Sequence, residues 1–253
     1  MRPDGRIIAG MRRLWIASLA LLAADAAPMR AVAEVAAAPV VVELFTSQGC
    51  SSCPPADAFL GELAQRRDVI ALAFHVDYWD YIGWKDPFAS PDFTKRQRAY
   101  AGALSLRGIY TPQMVVDGRA DAVGSDRARV EELIRRSSAA PKLALTVDAT
   151  GAKPILILSE ARLARAATIW LAIYDREERT RVKRGENGGR DLSEYNIVRA
   201  LREIATWDGG AQALELDLAG ATAEGMGYAI LIQSADQGPI IGAAQIAMPS
   251  SAP

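Results

Sequence analysis

The chain's two cysteines, Cys50 and Cys53, stand with Ser51 and Ser52 between them. Two intervening residues bring the sulfurs within bonding reach, so the pair can close a small disulfide ring and open it again. The thiolate is the attacking species in disulfide exchange, and the positive end of a helix lowers a thiol's pKa. The chemistry expected is thiol–disulfide exchange through a mixed disulfide, with Cys50–Cys53 itself as the redox group and no other cofactor. Two further readings use the same residues. With His75, the single histidine, the two sulfurs make a Cys₂His donor set for copper(I) or zinc, suited to metal binding or delivery. Alternatively, the pair is a structural disulfide in a non-enzymatic module, as exported proteins often carry.

Each remaining candidate has a plainer counterpart. Glu43 interrupts an apolar run, where a carboxylate is costly unless paired; it either passes a proton to Cys53 or closes a salt bridge. His75, with Asp77 just beyond, is a hydrogen-bonded structural residue if it is not a ligand. Tyr78, Trp79, Tyr81 and Trp84 either line a peptide-binding surface or pack beneath their own loop. Arg96 and Arg98 read as a solvated helix face. Residues 183–190, Lys-Arg-Gly-Glu-Asn-Gly-Gly-Arg, lack the phosphate-loop pattern and form a tight turn or an anion-binding loop facing the first half. Neither GxSxG nor HExxH occurs, so hydrolase chemistry has no support.

The elements that must hold these groups are readable from periodicity. Residues 40–45 form a β-branched run, 55–67 have helical spacing, and 69–74 make a second apolar run, which together read as a βαβ unit with parallel strands. Pro54 and Pro55 put the helix start at Cys53 or later, with Cys50 in the loop. A basic amphipathic helix is expected over 91–104 and a strand over 113–116. Asp117–Gly118 signals a hairpin into 120–123, and Ser125 caps a helix through Arg136. Beyond Pro141, residues 143–147, 155–158, 169–174 and 228–233 read as strands. Residues 193–205 are ambiguous, because Tyr195, Val198, Leu201 and Ile204 fit helical spacing. The expected fold is α/β, with a first domain over 34–140 and a β-rich domain over 141–253 for which a sandwich is the model architecture.

The order strand, CxxC, helix, strand, then Thr111–Pro112 before the next strand resembles thioredoxin. That resemblance implies a thioredoxin-like first domain, a cis bond at Thr111–Pro112 beside the redox pair, Cys50 as attacking thiol and Cys53 as resolving thiol. The segments ELFTSQGCSSCPPAD, FHVDYWDYIGWKDPFASPDFTKRQRAYA, YTPQMVVDG and VKRGENGGR resemble the blocks of a bacterial secreted family known as domain of unknown function 1223. They are spread over both halves of the chain. That resemblance implies a fold and no established substrate.

Bulk properties narrow the partners. The chain has 253 residues, 29 basic and 30 acidic, with no basic stripe of the kind a nucleic-acid backbone requires. Arg12 and Arg13 precede an apolar stretch from Leu14 to Ala24, and Ala31–Val32–Ala33 has the small-x-small form of a cleavage site. Residues 1–33 are thus expected to be a signal peptide, too short in its apolar part to span a bilayer, which needs about 20 residues. The mature protein is expected in the periplasm or outside the cell, without a stable membrane anchor, meeting a thiol or disulfide protein partner.

Overall fold

The structure is a computed structural model, and residues 38–151, 153–218 and 225–246 are described. The expected signal peptide lies outside them. Strand β1 (Val40–Thr46) runs into helix α1 (Pro54–Ala64), which returns to β2 (Val69–His75). β1 and β2 are parallel, from Val40 beside Val69 to Thr46 beside His75. Pro54 and Pro55 occupy the first helical turn, where a missing N–H costs nothing. Cys53 is the N-cap residue. Helix α2 (Pro91–Ala103) is capped by Ser90, whose hydroxyl accepts from the Asp92 amide.

Strands β3 (Gln113–Val116) and β4 (Ala120–Val123) form the expected hairpin, antiparallel to each other, and β3 also pairs antiparallel with β1. At its turn Asp117 and Gly118 both have positive φ, 48° and 62°. A Cβ on Gly118 would lie 2.8 Å from the Gly238 carbonyl oxygen, so the position needs glycine for space as well as conformation. The Thr111–Pro112 bond is cis. Helix α3 (Arg127–Ser138) follows, capped by Asp126 and not by Ser125. Val42 and Leu44 of β1 face α1 and α3, while Val41 and Phe45 face the other way, as period-two alternation dictates.

The second half adds β5 (Thr146–Asp148), β6 (Ile155–Leu158), β7 (Ala167–Arg181), β8 (Asp191–Trp207), β9 (Gln212–Glu215), β10 (Met226–Ser234) and β11 (Ile240–Gln245). Here the expected fold class is corrected. The chain does not build a helix-flanked thioredoxin-like domain beside a separate sandwich. It builds one eight-stranded mixed sheet in the order β11-β10-β7-β8-β2-β1-β3-β4, with strands from both sides of Pro141. β8 lies parallel to β2 through Ala73 and Ile197, and the Asn196 amide donates to the Ala71 carbonyl at 2.8 Å across that seam. The sheet continues because β2 would otherwise be an edge, with unpaired backbone groups to satisfy.

The far strands then turn across the first ones. Ala172, Ala229, Leu231 and Ala243 share a core with Phe45, Leu72 and Phe74. The small sheet β5-β6-β9 packs Leu156 and Leu158 against Ile169, Leu171 and Ile230. Residues 193–205, ambiguous in the sequence, lie wholly within the 17-residue strand β8. Its pairing with β7 shifts register twice, leaving Arg199 and Ile204 as extra residues on β8. The bulge at Arg199 breaks strict alternation and sets Val198 and Leu201 on one face, three residues apart.

Candidate functional site

Cys50 and Cys53 form a disulfide at the turn from β1 into α1, with Cα atoms 5.4 Å apart. The turn is held locally: the Cys50 amide donates to the Ser47 carbonyl and the Cys53 amide to the Cys50 carbonyl. Ser51 and Ser52 are exposed, but the cysteines themselves are only 1% and 0% exposed. The segment joining β7 to β8 packs on the backbone of this turn. Asn187, fully buried, donates from Nδ2 to the carbonyls of Gln48 and Cys50, both at 2.9 Å. Glu186 accepts from the Ser51 amide at 3.1 Å. Residues 183–190 thus act as a cap on the CxxC turn, which is more than a tight turn and faces the first half as one reading expected.

Beneath the turn lies a buried set of ionisable groups. Asp57, one helical turn after Cys53, accepts from the Thr46 hydroxyl at 2.7 Å. His75 Nδ1 lies 2.7 Å from Asp86 Oδ2, and its Nε2 lies 3.7 Å from Glu194 Oε1. Gln48 joins them: its amide nitrogen donates to Asp86 at 2.8 Å and its Nε2 donates to Glu194 at 2.7 Å. Trp84 donates to Gln48 Oε1 at 2.9 Å, which fixes the orientation of that amide.

Burial governs the charges here. It pushes the Asp57 carboxyl up to about 7, against the opposing hydrogen bond from Thr46. Burial also pushes Glu194 up, against the charge of His75. For His75 burial favours the neutral ring, but Asp86 beside it wins and raises the imidazole to about 9. Burial would raise Asp86 too, yet His75 and the backbone donors of Gln48 and Phe88 hold it below the ordinary carboxylate value. The His75–Asp86 pair is therefore charged near neutrality, while Asp57 retains a proton up to about pH 7.

The remaining expected residues are placed as follows. Thr111 accepts from the Trp79 indole at 2.8 Å, and Trp79 Cβ lies where a side chain on Gly49 would go. Pro112 is buried, close to Gly124, which also abuts Ala56. Glu43 shares the face of Val41 and Phe45, away from α1, and is paired with Arg96 Nε at 2.6 Å and with the Tyr100 hydroxyl. Arg96 is thereby buried, contrary to the solvated face expected of it, while Arg98 is exposed. Of the aromatic loop, Trp79 and Trp84 bind the site's own loops and Tyr81 stands 82% exposed. His75 faces Asp86 and Glu194, and among the described residues no three His, Cys, Asp or Glu side chains are grouped to hold a metal.

Sequence reasoning did not single out Asp57, Asp86, Glu194, Gln48 or Asn187. Asp57 carried a usable signal, because i and i+4 positions of a helix share a face. Glu194 and Asn187 enter only through the sheet's topology.

A search of curated proteins returns no match. Among solved structures, a crystal structure of an Agrobacterium tumefaciens protein is 32% identical, covers 85% of this chain and 97% of its own, and superposes with a TM-score of 0.73. HBP35 of Porphyromonas gingivalis is 16% identical over 85% of this chain and 78% of its own, with a TM-score of 0.54, a likeness of fold alone. The model of the family described as protein of unknown function (DUF1223) matches residues 41–233. With that match spanning most of the chain, and the Cys50–Cys53 turn and its 183–190 cap both inside it, the protein is a member of the DUF1223 family.

Proposed function

We propose that the protein is an extracytoplasmic thiol–disulfide oxidoreductase that exchanges disulfides with a protein or small-thiol partner. The observation that carries this reading is the Cys50–Cys53 disulfide at a strand-to-helix turn, with the buried Asp57 carboxyl, pushed up to about 7 by burial, one helical turn after Cys53. A structural bridge needs neither the helix start nor the acid. Exchange uses both. The export pattern in the first 33 residues supports the oxidising compartment.

In the reducing direction, the Cys50 thiolate attacks a sulfur of the partner's disulfide and expels the partner's other sulfur as a thiolate. Asp57, as a carboxylate, takes the proton from the Cys53 thiol. The Cys53 thiolate then attacks Cys50 in the mixed disulfide, closing the Cys50–Cys53 bond and releasing the second partner thiolate. Run backwards, the same steps oxidise a partner dithiol, with Asp57 returning its proton to Cys53. The turn must open for either direction, since both cysteines lie below the surface, and the 183–190 cap bonded to it is the segment proposed to yield.

Equilibrating the protein in dithiothreitol or glutathione buffers and counting free thiols tests this. An exchange site is expected to titrate within the range of catalytic CxxC pairs, about −270 to −120 mV. A potential below about −300 mV is that of a structural disulfide and would refute the reading.

A further inference from the structure

A pocket of about 440 Å³ opens between α2 and the β7–β8 ribbon. Its walls combine Phe93, Trp170 and Leu201 with three cationic side chains, Lys95, Arg96 and Arg199. The volume falls within the range of small-molecule sites, about 300–1,000 Å³. None of these residues belongs to the CxxC turn or to the acids beneath it.

Arg96 is the central feature. It is 7% exposed, held by Glu43 through Nε at 2.6 Å and by Tyr100 and Gln233 through Nη2 at 3.0 and 3.1 Å. Its third nitrogen, Nη1, has no protein acceptor among the described residues, although Arg96 lines the pocket. A guanidinium donor at a cavity wall is available to an acceptor from outside the chain.

Arg199 is one of the two extra residues in the β8 bulges, a device that re-aims a side chain out of the strand's alternation. It rests over the Phe88 ring at 5.0 Å and meets Asp175 only at 3.6 Å, too far for a hydrogen bond. Lys95 has no partner among the described residues. Trp170 has Arg96 over its ring at 5.8 Å and, among the described residues, no acceptor for its indole N–H. One carboxylate, Asp92, also lines the pocket and offsets part of the positive charge.

We propose that this pocket binds a small aromatic carboxylate. Its carboxylate is taken by Arg96 Nη1 with Arg199 and Lys95, and its ring lies against Trp170, Phe93 and Leu201. Guanidinium groups suit a planar carboxylate better than a point charge would, and the apolar wall excludes ions that carry no hydrocarbon body. The binding does not depend on the state of the cysteines.

Calorimetric titration of the oxidised full chain with naphthoate tests the proposal. Naphthamide serves as a neutral counterpart of the same shape, and inorganic phosphate as an anion without a ring. Saturable naphthoate binding is expected, with naphthamide at least about tenfold weaker and phosphate weaker still. Arg199→Gln and the exposed Lys95→Gln are each expected to weaken naphthoate by about three- to tenfold. Arg96 is left in place because it closes the buried pair with Glu43. The proposal is overturned if naphthoate fails to saturate at millimolar concentration, if naphthamide or phosphate binds as well, or if both variants leave the affinity unchanged.

Discussion

Asp57 and His75 make the protein's stability depend on pH in the same direction. In an unfolded chain Asp57 ionises near 3.8, but in the fold it holds its proton to about 7. Between those values the unfolded state alone is charged, so rising pH favours unfolding. His75 extends the trend. Its charge is stabilised in the fold, so its contribution is complete below 6.5 and lost as pH rises to about 9. Asp57→Asn removes the lower window. Its free energy of unfolding is expected to fall less between pH 5 and pH 7.5 than that of the wild type, by on the order of 2 kcal/mol in denaturant titrations. Equal slopes would show that Asp57 ionises normally. The residue was within reach of sequence reasoning, four positions after Cys53 in CPPAD. Glu43 drew attention instead because a carboxylate in an apolar strand is conspicuous. Alternation along β1 sends it to the face away from α1, to Arg96 and Tyr100.

The cap over the redox turn is held chiefly by Asn187, whose one amide group serves two carbonyls. Asn187→Ala leaves both carbonyls without that donor and holds residues 183–190 to the CxxC turn only through the Ser51–Glu186 bond. Reduction of the Cys50–Cys53 bond by dithiothreitol is expected to speed up by about three- to tenfold, read by quenched thiol counts over time. An unchanged rate would mean that the cap does not limit access. The strands and helices of the first half were legible, because short apolar runs, Asp117–Gly118 and the prolines mark them. β8 was not. The bulge at Arg199 sets Val198 and Leu201 on one face three residues apart, and only pairing with β7 settles the matter.

Continuity of the eight-stranded sheet across β2 and β8 ties the two halves of the sequence together. No periodicity could reveal that seam, because it depends on a long-range pairing whose register lies outside any local window. Gly61 of α1 is part of it: a Cβ there would fall 2.5 Å from the Tyr195 ring of β8. Gly61→Ala must displace the Tyr195 ring from its place against α1, and is expected to cost about 1–3 kcal/mol. Thermal unfolding of wild type and variant should remain a single transition seen alike by tryptophan fluorescence and far-UV circular dichroism. Two separated transitions would mean that the halves fold independently despite the shared sheet.

The redox reading rests on the two sulfurs having different tasks, Cys50 attacking and Cys53 resolving. Replacing the resolving thiol blocks the second exchange step and leaves the first intact, so the partner stays attached. The protein carrying Cys53→Ser, recovered from its exporting host under acid quench, is expected to run on non-reducing gels as reductant-sensitive adducts. Cys50→Ser is expected to give few or none. If neither variant traps a partner, the Cys50–Cys53 bond is a structural bridge and the account is wrong.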